Sequence, residues 1–300
     1  MTDTIIYNEQ FETGVEEMLK NHDYWVYATQ IHPSQYIRRP NELSEVLKRV
    51  QKDDKYNGLR ITRLEGDTDV GNPQLNPRTE LVPGFRVPYR ERYHVHIEVY
   101  FDDSILNSTF LQIMGKDNNN KTKPLITLDT RAGNMNVRTH DFNQNPDGYF
   151  QRHRVANYQE DLYKKTVAYD LFIYPDTSSG YFKVYMNNRL VFELENKPTY
   201  WSRGNGQIQL QYGCYGTDGT KNFESLVYQR LYFAKHNTNT FVPLQRQQPI
   251  PDPEPTPEPT PEPPPTDTLP EKSIVVLHQQ DIEFMYFKDD AWVFHLKPSF

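Results

Sequence analysis

The sequence predicts an all-β sandwich that carries a proline-rich stalk and a short docking tail at its C-terminal end. Three observations predict it. Residues Tyr93 to Phe101 (YHVHIEVYF) alternate strictly, with Val95, Ile97, Val99 and Phe101 on one face and His94, His96, Glu98 and Tyr100 on the other, the pattern of a half-buried strand. The stretch GYFKVYMNNRLVFEL sets Asn187-Asn188, which tolerate positive φ, between two β-rich runs, the signature of a tight hairpin. Between Pro249 and Pro270 lie eleven of the chain's 23 prolines, which no packed fold accommodates.

Further strands are read at 167–174 (VAYDLFIY), 206–216 (GQIQLQYGCYG) and 225–234 (SLVYQRLYFA). One helix is expected, from Asn41 to Gln51, where Leu43, Val46, Leu47 and Val50 recur at helical spacing behind an Asn N-cap. Many strands, long polar loops and one short helix give a single sandwich over residues 1–248, a length common for one all-β domain.

Composition removes several function classes. No run of eighteen apolar residues exists, so membrane insertion is not expected. The start MTDTIIYNEQFETG lacks the basic, apolar and small-residue segments of a secretory signal. A single cysteine, Cys214, excludes an internal disulfide framework and a cysteine zinc cluster, and no cofactor or metal is expected. The net charge is -7: six charges come from Asp252, Glu254, Glu258, Glu262, Asp267 and Glu271, one from the residues after them, and residues 1–250 are neutral. A neutral body with an acidic stalk lacks the basic face that nucleic acid requires.

The stalk, 249–271, repeats Pro-Glu-Pro-Thr and reads as an extended spacer, on the order of 50–65 Å long at about 3.1 Å per residue. Residues 272–300 are rich in β-branched and aromatic side chains but too few for a core of their own. They read as a docking or assembly segment, pairing with a partner's sheet or with copies of itself.

GLRITRLEGDTDVGNPQLNPRTEL at 58–81, FLQIMG at 110–115, GYFKVYMNNRLV at 180–191 and LQYGCYG at 210–216 resemble, in sequence and order, the jelly-roll polysaccharide lyases of the alginate-lyase and heparin-lyase type. The resemblance covers roughly residues 9–234. It implies a concanavalin A-like fold whose concave sheet holds an acidic polysaccharide. Arg78, Thr79, Glu80 and Leu81 match the family's Arg-Ser/Thr-Glu-Leu-Arg strand, with Val82 for its last arginine. Gln112 and Ile113 match its Gln-Ile-His strand, but Met114 stands where the family has histidine. Gly213 and Tyr215 fit its Tyr-Phe-Lys-x-Gly-x-Tyr strand, whereas Gln209 and Gln211 replace the tyrosine and lysine.

Lyases cleave by β-elimination: donors neutralise the uronate carboxylate, a base removes the adjacent proton, and an acid protonates the leaving oxygen. Met114 accepts no proton and Gln211 brings no charge, so two positions have lost chemistry while keeping bulk. The resemblance leaves one catalytic set, Tyr215 as both base and acid with Arg78 and Gln112 as neutralisers. Arg78 and Glu80 alternate onto one strand face, where they form either a carboxylate-binding pair or a structural ion pair.

Three other groups stand out. His94 and His96 project to one face beside Glu98, either as a metal clasp or as a solvated polar face, and the solvated face is the reading adopted. Arg131, Arg138, His140, Arg152, His153 and Arg154 are dispersed in a stretch read as loop-rich, 129–154, where they either bind an acidic glycan or solvate long loops, and glycan binding is the reading adopted. Tyr200-Trp201 lies in the polar segment PTYWSRGNG, where an exposed ring would stack on sugar. Gln30-Ile31-His32 repeats the family's spelling in the wrong order and is treated as chance. The sequons at Asn107 and Asn120 matter only on a eukaryotic secretory route.

The expected function is recognition of an acidic or neutral polysaccharide through Arg78, Glu80, Gln112, Gln211, Tyr212, Tyr215 and Trp201, without catalysis. The alternatives are an active lyase and a purely structural decoration protein. Absence of a signal and a spacer before a docking tail suggest a bacteriophage particle protein that reaches the extracellular space by lysis.

Overall fold

The computed structural model describes residues 2–21, 24–28, 47–63, 78–102, 106–117, 119, 121–140, 142, 150–201, 206–216, 224–245, 282–288 and 291–296. Along the chain come β1 (Thr4–Glu9), α1 (Val15–Asn21), β2 (Trp25–Ala28), β3 (Val50–Asp53), β4 (Gly58–Arg63), β5 (Arg78–Val82), β6 (Val87–Pro88), β7 (Tyr93–Tyr100) and β8 (Ser108–Lys116). Then follow β9 (Thr122–Arg131), β10 (Asn134–His140), β11 (Phe150–Asn157), a π-helical turn (Tyr158–Leu162), β12 (Thr166–Tyr174), β13 (Gly180–Met186), β14 (Arg189–Lys197), β15 (Gln207–Gly216) and β16 (Glu224–Lys235). The last two strands are β17 (Ile282–Lys288) and β18 (Ala291–Leu296).

Residues 1–247 form one compact unit, and residues 248–300 a second, in which β17 and β18 pair as an antiparallel hairpin. The first unit is a jelly-roll sandwich of two antiparallel sheets. The back sheet runs β14-β13-β12-β7-β16-β4-β3, with β1 on β16; the front sheet runs β11-β10-β9-β8-β15-β5-β2, with β6 on β15. Neighbours far apart in sequence, such as β7 with β16 and β8 with β15, lie in the middle of each sheet, so the fold is fixed by long-range pairing.

The core fills the space between the sheets. Val95, Ile97, Val99 and Phe101 point into it, facing Phe110, Ile113, Leu128 and Val137 of the front sheet. The Asn187-Asn188 turn has φ of 49° and 64°, as the hairpin expectation requires. The strands expected at 167–174, 206–216 and 225–234 are β12, β15 and β16.

Other expectations are corrected. Of the helix read over Asn41 to Gln51, residues 41–46 lie outside the described residues, Leu47 is helical, and the end, Val50 and Gln51, is strand paired with Ile61 and Arg60 of β4. Cross-strand pairing outweighs a weak local helical pattern there. A helix that the sequence reading did not expect forms at Val15–Asn21, where Val15, Met18 and Leu19 are buried at helical spacing. The stretch 129–154, read as loops, is largely β9, β10 and β11. The stalk, 249–271, lies outside the described residues.

The His94–His96–Glu98 face is not the solvated surface that was expected. His94 and His96 are buried on the back sheet: His94 Nε2 lies 2.7 Å and His96 Nδ1 2.9 Å from the same Asp170 oxygen, and His96 Nε2 lies 3.2 Å from Glu98. His94 Nδ1 reaches Asp3, which also receives His236 Nδ1 at 2.9 Å. The segment after β16 closes this face, with the Leu244 N–H on Asp170 at 3.1 Å and the Phe241 ring packed on Phe172 and Tyr181. A covering segment distant in sequence is what turns a polar strand face into an interior. Among the described residues no set of three His, Cys, Asp or Glu side chains is arranged to hold a metal.

Candidate functional site

The outward face of the front sheet gathers most of the residues singled out by the sequence. On β5, Thr79 and Leu81 point inward, which turns Arg78 and Glu80 outward by strand alternation. On β15, Ile208, Leu210 and Tyr212 are core, which turns Gln209 and Gln211 outward. Pairing then sets the rows. Gln211 lies opposite Gln112 of β8, Gln112 opposite Thr127 of β9, Thr127 opposite Arg138 of β10, and Arg138 opposite Arg152 of β11. One row along, Tyr215 lies opposite both Arg78 and Thr109.

Two bulges produce this second row. Between Tyr212 and Tyr215 the strand β15 holds an extra residue, and β8 does the same between Thr109 and Leu111. Gly213 takes φ of +146°, and a Cβ there would lie 2.2 Å from the Thr79 carbonyl oxygen, so the bulge demands glycine. The backbone groups that the bulges release are met from the opposite sheet. The Tyr228 hydroxyl accepts from the Gly213 N–H at 2.9 Å and lies 2.7 Å from the Phe110 carbonyl and 3.0 Å from that of Gly213.

The polar side chains brace one another. Gln112 Nε2 donates to Glu80 at 2.5 Å and sits 3.5 Å from Gln211 Oε1. Arg78 is 3.8 Å from Glu80 and its guanidinium lies 4.6 Å from the Tyr215 ring centre, a cation–π contact. Burial pushes the Glu80 carboxyl up, opposed by the positive Arg78 and the Gln112 hydrogen bond.

Arg138 donates to Thr127 at 3.2 Å and to Thr109 at 3.0 Å, and pairs with Asp129. Its reach to Thr109 carries the guanidinium towards Tyr215. Burial lowers the Arg138 pKa, with Arg152 and Arg131 adding repulsion and Asp129 the main attraction. Burial likewise raises the Asp129 carboxyl, held by Arg138 and by an Asn136 hydrogen bond of 2.9 Å. Arg152 and Arg154 are exposed on the edge strand β11. A half-exposed phenol therefore stands between Arg78 and Arg138, with further cations to one side.

Two site expectations are corrected. Tyr212 is fully buried: its hydroxyl is 2.6 Å from that of Tyr24 and its ring packs on Tyr228, so it belongs to the core between the sheets. Trp201 is 2% exposed and packs on His140 and Phe142, leaving no face for a sugar. Arg78, Glu80, Gln112, Gln211 and Tyr215 do come together. Glu80, Gln112 and Gln211 are 1%, 5% and 5% exposed, so they back the surface while Arg78 and Tyr215 form it. Arg138 is the partner that the loop reading misplaced; the alternation of Met135 and Val137 against Asn136 and Arg138 is the signal that finds its strand.

Met114 forms the floor of a small concavity lined also by Arg86, Lys116, Gln207 and Gln209. Among the described residues no histidine lines it, and the ionisable side chains that do are Arg86 and Lys116. Chemically, the face offers guanidiniums for anions, amides for hydroxyls, and one accessible phenol.

No protein-family model matches the chain, and no curated protein matches it in sequence. Among solved structures it is similar to an alginate lyase from Pseudomonas aeruginosa, at 16% identity over 71% of this chain and 98% of that one, with a TM-score of 0.53. It is also similar to an alginate lyase from Klebsiella pneumoniae, at 10% identity over 71% of this chain and 95% of that one, with a TM-score of 0.51. The likeness at these identities is one of fold, the jelly-roll sandwich expected from the sequence.

Proposed function

We propose that the front sheet of this jelly-roll domain binds an acidic polysaccharide without cleaving it. The observation that carries the reading is the flanking of Tyr215 by Arg78 and Arg138, with Arg152 and Arg154 continuing the basic strip towards the sheet edge. Guanidiniums pair with carboxylates in a fixed fork, a phenol supplies a flat face and a hydroxyl, and Gln112 and Gln211 supply neutral donors and acceptors. The charges that hold the arginines in place, Glu80 and Asp129, are themselves buried, so they orient without repelling an incoming anion across open solvent.

Non-catalysis rests on Met114 and Gln211, which stand where the lyase resemblance has histidine and lysine; among the described residues no imidazole lines the Met114 concavity. One observation favours the second reading, a lyase: Tyr215 sits beside two guanidiniums, a setting in which a phenol can act as base and acid. Incubation of the chain with uronate-containing glycans decides between them. Binding without new unsaturated ends supports recognition, whereas a rise in their absorbance that Tyr215→Phe abolishes establishes the lyase.

The display role is part of the same proposal. A proline stalk and the β17–β18 hairpin beyond the sandwich suit a particle protein that holds a glycan-recognising domain away from a bacteriophage surface and docks through residues 272–300. Deleting residues 272–300 is expected to separate recognition from attachment; a shortened chain that still joins its particle contradicts the docking role.

A further inference from the structure

We infer that residues 236–244 form a releasable strap, which clamps the chain onto the outer face of the back sheet and opens, with the sandwich intact, when the imidazoles beneath it lose their second protons. The segment leaves β16 after Lys235 and runs back over β12 and β13. It has no regular secondary structure and adds no strand to the sheet. Its main chain is tied down near its ends, where the His236 N–H donates to the Arg92 carbonyl at 2.8 Å and the Leu244 N–H to Asp170 Oδ1 at 3.1 Å. Between them the Phe241 ring lies 5.3 Å from that of Phe172 and 5.2 Å from that of Tyr181, with Lys183 Nζ 4.4 Å from its centre. Arg92 also donates to the Thr238 carbonyl at 3.3 Å. Val242, beside the clamping ring, is 65% exposed, so the strap is a single layer with water on its far side.

The hydrogen bonds under the strap close only with doubly protonated rings. A neutral imidazole carries one N–H. His94 faces a carboxylate with each of its nitrogens, Asp170 at 2.7 Å and Asp3 at 3.2 Å. His96 does the same, with Asp170 at 2.9 Å and Glu98 at 3.2 Å. The strap brings a third ring, His236, which is 2.9 Å from Asp3 and 3.3 Å from the Thr238 hydroxyl. From β16, Tyr232 lies opposite His96 and Arg230 opposite Glu98. Asp170 Oδ1 is the oxygen that meets both His94 and His96 and also the Leu244 N–H, so the imidazoles and the strap share one acceptor.

Loss of a proton turns a ring lone pair onto a carboxylate oxygen and leaves Asp3, Glu98 and Asp170 short of donors in a buried site. Water supplies the missing donors, and the strap is the wall that yields to it. The strands β7, β12 and β16 each have ladders on both sides, whereas the strap rests on side-chain contacts and the ties near its ends. Burial opposes the charge on His96, yet the hydrogen bonds to Asp170 and Glu98 outweigh it, so the second proton is held above the usual histidine range and leaves as pH rises. The strap is therefore closed at mildly acidic pH and opens on the alkaline side. Opening frees residues 236–244, roughly 30 Å of extended chain, between β16 and the proline repeat that begins at Pro249. No glycan takes part, so the strap opens in the same way whether or not the front sheet binds one.

The test is amide hydrogen exchange read by mass spectrometry on the full chain at about pH 6 and about pH 9, either side of the histidine range, each rate being divided by its intrinsic value at that pH. Protection of the amides in 238–244 is expected to fall about tenfold or more between the two, while that of β7, β12 and β16 changes far less. Phe241→Ala, which leaves the imidazoles and carboxylates in place, is expected to show the open strap at both pH values. His96→Gln is expected to show at the lower pH the strap protection that wild type reaches at the higher one. Glu98→Gln, a milder change that keeps the imidazole, is expected to move the opening to lower pH, and it decides the matter if His96→Gln does not fold. Equal strap protection at the two pH values overturns the proposal, as does a loss of protection that comes only together with that of β7 and β16. A Phe241→Ala strap as protected as the wild type's overturns the clamp.

Discussion

The Tyr228 hydroxyl reaches across the sandwich from β16 to the Gly213 N–H at 2.9 Å, and through this contact a core residue of the back sheet shapes the surface of the front one. Gly213 is where β15 gains its extra residue, and the row that this creates sets Tyr215 opposite Arg78. Without the bulge partner, buried backbone groups of β15 and β8 lose a hydrogen bond each. The row of Arg78 and Tyr215 thus depends on a phenol buried between the two sheets.

Tyr228→Phe is expected to cost about 1–3 kcal/mol, the penalty for leaving buried polar groups unsatisfied, while the fold persists. Chemical denaturation measures the first and the far-ultraviolet spectrum the second. Gly213→Ala is expected to cost more, because it combines positive φ with a backbone clash. A Tyr228→Phe protein as stable as wild type would show that the bulge does not need the hydroxyl.

Removing either flanking guanidinium is expected to weaken binding of an acidic oligosaccharide by about 10- to 100-fold, as for loss of a charged hydrogen bond worth roughly 1.5–3 kcal/mol. Raising ionic strength is expected to weaken the wild type further than it weakens Arg78→Ala or Arg138→Ala. Calorimetric titration at two salt concentrations checks both. Arg138→Ala also strands the buried Asp129, so its stability must be measured alongside its affinity.

The back sheet gives the domain a pH dependence of its own. Burial lowers the His96 pKa, but Asp170 and Glu98 outweigh it and hold the imidazole above its usual value. The stabilisation is therefore complete below the unfolded histidine value of about 6.5 and is lost as pH rises through the folded one. Asp170 runs the other way: burial opposes its charge, yet His94 and His96 hold its carboxyl below the usual range. Its contribution is present above about 3.9 and is lost as pH falls through the folded value. The midpoint of thermal unfolding is expected to be highest at mildly acidic pH. Asp170→Asn is expected to flatten that profile and to cost about 3–5 kcal/mol, as for breaking a buried ion pair.

Those histidines also show where sequence reading stops. The alternation of YHVHIEVYF places them correctly on one face of β7, but what covers that face comes from residues 236–244, far along the chain. Arg78, Glu80, Gln112 and Tyr215 are legible because each sits in a short patterned strand, and pairing register alone brings them together. Tyr212 and Trp201 are not, since an aromatic ring looks the same in sequence whether it lines a groove or fills a core. Arg138 is hidden by asparagine-rich neighbours that read as loop, although the Met135 and Val137 alternation was there to be counted.

Equilibrium binding of an oligouronate to the full chain, with unsaturated ends followed in the same sample, tests the central claim most directly. The expected result is salt-sensitive binding that Arg78→Ala removes, with no new absorbance over the course of the titration. Turnover of the oligouronate, or its failure to bind at low salt, would contradict the account.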